Sequence, residues 1–437
     1  MTAEIAIMNK LAVALAADSA LTIGQEKGQK IYNTVNKLFA LSKYYPVGIM
    51  ISGKSNFMAV PWESIIKIYR SKLGEGKFDT LEKYADDFIG FLDKSNLLFP
   101  ESGQEKYLYG SIFSYFKLMR DEINEMFQKT IKEEGKITGI QTRQITAKVI
   151  RRHYDIWEKA EALPSIPETH IEGILNRYAD IIGRAIKQVF KKLPLSNVSL
   201  NQLKRIGASL FSKDIFSPSI SGVVIAGFGE KDTFPSLKSL TIEGIVNNRL
   251  KYKGAPLLGI DFETSARIIP FAQREMVVTF MEGADPSYKG YMEAYLSKVF
   301  DKYPEIIIEN ISKFDDSEKQ ALKRTLKKAS NRIFEDYKKE MKDYSERHHV
   351  NPVMDAVAAL PKDELAAMAE SLVNLTSFKQ KVTVEAETVG GPIDVAVISK
   401  GDGFIWIKRK HYFNPELNPQ FFANYYREEK DEKSRQE

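Results

Sequence analysis

Hydrophobic spacing switches between a period of two and a period near 3.6 several times along this chain, and those switches restrict its fold more than any other feature. Ile5 and Ile7 alternate with Ala6 and Met8, and Val13 and Leu15 alternate with small alanines, the pattern of a strand with two chemically different faces. A further apolar run, Val47–Gly53, is opened by Pro46 and closed by Gly53. Trp62, Ile65, Ile66, Ile68 and Tyr69 then fall at helical spacing. From about residue 76 to 212 strand signals nearly vanish, and Leu81–Leu92, Leu108–Ile131, Ile145–Trp157 and Ile171–Phe190 read as amphipathic helices. Strand signals return at Gly222–Gly229, with more expected at Leu237–Ile245, Leu258–Phe262 and Met276–Met281. Asp285 and Pro286 introduce a helix to about Phe300, and a second helical stretch runs to about Leu360. Its stripe of Leu322, Leu326, Ile333, Tyr337, Met341 and Tyr344 reads as intramolecular packing. Beyond a helix over Glu364–Leu375, Gly401-Asp402-Gly403 between two apolar runs is a hairpin signal. Strands at both ends with helices between them predict an α+β chain, its helices packed on mostly antiparallel sheets in two layers.

Composition narrows the function. A chain of 437 residues with 43% hydrophobic and 28% charged content can bury a large core. It has no cysteine, which removes disulfides, thiolate metal sites and a cysteine nucleophile. The net charge of +5 is too dilute over this length to argue for nucleic acid. Glu4 and Lys10 interrupt the apolar start, so it does not read as a signal peptide. No apolar run approaches a membrane span, and a cytoplasmic location is expected. No Gly-x-x-x-x-Gly-Lys-Ser/Thr occurs, so any ATPase must be another chain. His348-His349, with no nearby cysteine, reads as a solvated pair, and the aromatic stretch from Tyr412 to Tyr426 as packed against the fold.

Thr2 is the residue with the most distinctive chemistry. Once Met1 is removed it would carry a hydroxyl nucleophile and, in its own α-amine, a base of unperturbed pKa about 7.7–8.0. Taken alone, Asp18 is a carboxylate at a strand end, Lys37 a cation at a strand start, and Gly53 a strand-ending glycine. A buried lysine beside a carboxylate would offset the cost of burying either.

Leu15-Ala-Ala-Asp18-Ser-Ala-Leu-Thr22, Lys37-Leu-Phe, Ile51-Ser-Gly53 and Gly390-Gly-Pro-Ile-Asp-Val-Ala-Val-Ile398 occur in the order found in proteasome β-type subunits and their bacterial relatives. The chain resembles this group of N-terminal nucleophile hydrolases over roughly half its length. The resemblance implies a four-layer αββα sandwich of mostly antiparallel sheets, formed by 2–75, 213–302 and 358–412. Two helical insertions, 76–212 and 303–357, and a charged tail, 427–437, would be additions to it.

By the same resemblance Thr2 would be the nucleophile, and Asp18 would orient Lys37 and the first residue. Lys37 would lower the nucleophile's proton affinity, and the Gly53 N–H would form the oxyanion hole. Thr22 would pair with an extended substrate strand, while Leu21 and Ile51 would line an apolar pocket. The family's supporting hydroxyls are replaced near Gly283–Asp285 and at Ala386–Val389, where Asp285 or Glu387 would take over part of the network. These features together predict a threonine-type endopeptidase acting on peptides or unfolded proteins, assembled as a homo-oligomeric ring and served by a separate ATPase or other protein partner. No metal or organic cofactor, nucleic acid or membrane is implied. The alternatives are a catalytically silent scaffold that binds a protein through its helical insertions, or a small-molecule amidohydrolase.

Overall fold

The computed structural model describes residues 3–23, 30–311, 313, 315–383 and 389–423. Thr2, Glu387 and the charged tail 427–437 therefore lie outside the described residues. The chain opens with β1 (Ala3–Asn9), β2 (Ala12–Ala17), β3 (Leu21–Ile23), β4 (Lys30–Tyr32), β5 (Leu38–Ala40), β6 (Val47–Gly53), β7 (Asn56–Phe57) and β8 (Val60–Pro61). Helices α1 (Trp62–Leu73), α2 (Leu81–Lys94), α3 (Glu101–Glu134), α4 (Gly139–Lys159), α5 (His170–Arg177), α6 (Ala179–Val189) and α7 (Asn197–Ser209) follow. Next come β9 (Ser221–Gly227), β10 (Ser236–Val246), β11 (Arg249–Gly254), β12 (Leu258–Gly259) and β13 (Ala266–Ala272). The remaining elements are α8 (Glu275–Glu282), α9 (Pro286–Glu309), α10 (Asp316–Ser345), α11 (Asn351–Ala359), α12 (Lys362–Val382), β14 (Asp394–Ser399) and β15 (Gly403–Lys408). The fold is α+β with antiparallel sheets. It divides into two compact units, one of residues 1–38 with 260–437, the other of residues 39–259.

The first unit is built on a five-stranded sheet of order β13-β1-β2-β14-β15. Its period-two sequences segregate two faces. Ala3, Ile5 and Ile7, Ala12, Ala14 and Ala16, and Val395 and Val397 turn to one side, where they pack with Leu365, Ala369, Leu372 and Val373 of α12. Alanines along β2 let that helix lie close to the sheet. Glu4, Ala6, Met8, Leu15, Asp394 and Ala396 alternate with these and are also buried. The Gly401-Asp402-Gly403 hairpin forms as its sequence predicts: Ser399 pairs with Gly403, and Gly403 adopts φ 78°. Helices α9 and α10 pack on each other; Phe300 and Phe334 rings lie 5.8 Å apart, and Lys323 and Lys327 pair with Glu305.

In the second unit the sheet order is β11-β10-β9-β6-β5, with β12 beside β10. Helices α1 and α2 cover it through Trp62, Ile65, Ile66, Tyr69, Leu81, Tyr84, Phe88 and Leu92, which meet Ile49, Ile51, Val223 and Ile225 in one core. Each such buried side chain contributes about 1.5–3 kcal/mol. Helices α3 to α7 enclose a second core around Leu108, Ile112, Phe116, Ile150, Ile182 and Leu203.

The predicted strand over Met276–Met281 is a helix, α8. An apolar run this short does not reveal its period; Thr279 Oγ1 back-bonds to the Glu275 carbonyl, and Gly283 ends the helix in the left-handed region. The strand on that side of the unit is β13, ten residues earlier in sequence by its start (276 against 266). Of the strand predicted over Leu258–Phe262 only β12 forms, because Asp261 closes a turn by accepting from the Glu263 and Thr264 amides. Strand β11 escaped prediction although its signal was present: Asn247 and Asn248, with φ 52° and 53°, form the two-residue turn that joins it to β10.

Candidate active site

Asp18 follows directly on β2, so its position is set by the ladders on either side of that strand. It is 1% exposed, and among the described residues its carboxylate accepts four hydrogen bonds. Oδ1 takes the Ala3 N–H at 3.1 Å and the Lys37 Nζ at 2.6 Å. Oδ2 takes the Ala20 N–H at 3.2 Å and the Gly390 N–H at 3.1 Å. The Asp18 N–H in turn donates to the Ala3 carbonyl. A carboxylate with this many donors is fixed in orientation.

Lys37 reaches it because the segment before β5 is drawn in over the end of the sheet. Val35 N–H donates to the Ser19 carbonyl, and Ser19 N–H to the Gly390 carbonyl; Ser19 Oγ donates to the Pro392 carbonyl. Gly391 makes this crossing possible. It has φ +77°, and a Cβ there would sit 2.7 Å from Asn33 Cβ. The Lys37 side chain is only 7% exposed, so the pair is a desolvated one whose charges depend on each other.

Two groups that the sequence reading did not assign belong to the same place. Glu4 pairs in register with Ala17, and Ala17 with Asp394, so the three stand in a row across β1, β2 and β14 on one face of the sheet. Glu4 is 2% exposed, and neither of its carboxyl oxygens has a hydrogen-bond partner among the described residues. Burial pushes this carboxyl up to about 8; Lys37 opposes the shift and Asp18 adds to it. At the far end of the row Asp394 accepts from the Lys410 N–H at 2.8 Å and pairs with the Lys410 ammonium. Burial pulls that ammonium below its ordinary range, with Asp394 acting against the shift. The sequence signal for Glu4 was a single charge inside an otherwise apolar, alternating strand. With Glu4 neutral the cluster balances, two lysines against two carboxylates.

The other residues singled out from sequence are placed as follows. Leu21 and Thr22 lie on β3, where Thr22 pairs with Ile31 of β4. Gly53 ends β6 in the second unit with φ +78°, and a Cβ would lie 2.5 Å from the Ile220 carbonyl oxygen, so no other residue fits. Ile51 is 4% exposed and packs in the core under α1 and α2; its side chain is spent on that core rather than on a pocket. Asp285 caps α9 by accepting from the Ser287 and Tyr288 amides and pairs with Lys379. It lines a cleft of about 670 Å³ together with Ala272, Arg274, Lys379, Gln380 and Thr383, and Ala272 is the register partner of Ala3.

Among the described residues no group of three or more His, Asp or Glu side chains could hold a metal ion, and no helix is long and apolar enough to cross a membrane. No protein-family profile matches the sequence, and no curated protein is significantly similar to it.

Proposed function

We propose that the chain is a threonine-type peptidase of the proteasome-like N-terminal nucleophile class, with a four-layer αββα sandwich, exposed for catalysis by removal of Met1. One observation carries this reading: the buried Asp18 carboxylate bonds both Lys37 and the backbone N–H of Ala3, the residue that follows Thr2 in sequence. An aspartate–lysine pair fastened to the start of a chain is what an amine–hydroxyl nucleophile needs for fixed geometry and a lowered proton affinity. In the reaction Thr2 Oγ attacks a peptide carbonyl while the α-amine takes its proton. The amine then returns the proton to the departing amino group. Water then attacks the resulting ester and frees Thr2. The substrate is a peptide or an unfolded protein, and a homo-oligomeric ring with a separate ATPase or other protein partner would supply it.

Intact mass of the purified protein and a Thr2→Ala variant test the reading. Loss of one methionine, and a fall of about a thousandfold or more in hydrolysis of apolar fluorogenic peptides by the variant, are the expected results. Retained Met1 with hydrolysis indifferent to Thr2 would overturn it. A silent scaffold is the second reading, favoured by the exposed Tyr288, Tyr291, Tyr295 and Tyr303 along α9, a face suited to a protein partner.

A further inference from the structure

The proposed chemistry uses Asp18 and Lys37 and leaves Glu4 without a task, yet Glu4 is buried with no hydrogen-bond partner among the described residues. A buried polar group without a partner is destabilising, and an ionised one far more so. Such a group persists where its proton matters. Its surroundings are specific. Glu4 follows Ala3, whose N–H donates to Asp18, and stands opposite Ala17, the residue before Asp18, which carries Lys37; Asp394 stands two strands away in the same row, with Lys410 upon it; and β13 sets Phe271 opposite. The lysines and the two paired carboxylates already cancel, so a proton on Glu4 keeps the cluster neutral.

We propose that Glu4 is a positioning residue that titrates: it holds its proton in the working protein, and releasing it places a third anion beside the Asp18–Lys37 pair and suppresses the nucleophile. The step moves one proton from the Glu4 carboxyl to solvent and forms or breaks no other bond. The added anion favours the protonated, unreactive form of a nearby amine and draws on the positive potential of Lys37. This rests on the N-terminal nucleophile reading for its effect on rate, but not for its effect on Lys37.

Two measurements on the full chain separate those levels. The first is the rate of acylation by a peptidyl β-lactone between about pH 6 and pH 10, for the wild type and Glu4→Gln. The wild type should lose reactivity on the order of tenfold on the alkaline side, the effect of one added charge nearby at an effective dielectric of about 20, and Glu4→Gln should not. The second follows the ¹⁵N resonance of Lys37 Nζ, assigned by its loss in Lys37→Met. A step near the pH at which Glu4 ionises is expected in the wild type and absent in Glu4→Gln. Identical Lys37 titrations in the two proteins, or an alkaline fall that survives Glu4→Gln, would overturn the proposal. A Lys37 step that depends on Glu4 in a protein that no lactone acylates would support the coupling and sink the nucleophile reading alone.

Discussion

The proton on Glu4 has a thermodynamic counterpart. An ordinary glutamate ionises near 4.5, whereas in the fold this carboxyl keeps its proton up to about 8. Between those values the folded chain binds more protons than the unfolded one, so this group makes stability fall as pH rises through the window. The total is of the order of a few kcal/mol, fully lost once pH exceeds the folded value. Glu4→Gln keeps the shape and removes the ionisation, so it should flatten the stability–pH profile and be the more stable protein near pH 8. Calorimetric melting at mildly acidic and mildly alkaline pH measures this. Asp18→Ala is expected to behave oppositely. It would strand the Lys37 ammonium in a dry site and remove the acceptor of three backbone amides, costing about 3–5 kcal/mol in denaturant unfolding. Gly53→Ala should also destabilise, because positive φ and the Ile220 carbonyl both oppose a Cβ, and a lower denaturant midpoint would show it.

Elements differ in how openly their sequences announce them. Strands β1 and β2 were legible because alternation in period two survives even with alanine on one face. Helix α2 was legible through its wide apolar stripe, and Thr80 caps its start. Helix α8 was not: its run of β-branched and aromatic residues suits either structure, and only a long-range fact decides, namely that β13 fills the place beside β1. The site divides the same way. Asp18 and Lys37 could be picked out because their order along the chain is distinctive, whereas the roles of Glu4, Asp394 and Lys410 depend on register across three strands, which no local pattern contains. Asp285, read as part of the site, has a task belonging to its own helix. Asp285→Ala should destabilise the first turn of α9 through loss of its cap, visible as a lower melting temperature and as faster amide exchange at Ser287 and Tyr288.

At the scale of the whole molecule the two units differ in how the chain builds them. The second is continuous, 39–259, and has two apolar cores of its own. Expressed alone it should fold and melt cooperatively, which circular dichroism can check; a non-cooperative, aggregating fragment would show that it depends on the rest. The first unit is discontinuous, and its central strands come from opposite ends of the sequence. Strand β1 lies between β13 and β2, and β2 between β1 and β14. Strand β2 waits longest, for Asp394–Ser399, and β1 cannot complete its ladder until the chain has been made past Ala266, about 250 residues after β1 leaves the ribosome. At translation rates of roughly 5–20 residues per second, that is on the order of ten to fifty seconds. For that interval β1 has β2 on one side and nothing from its own sheet on the other; afterwards Ala3 is paired with Ala272 as well as held by Asp18. The order of synthesis therefore sets the order in which this sheet can close, and its opening strand is among the last to be finished.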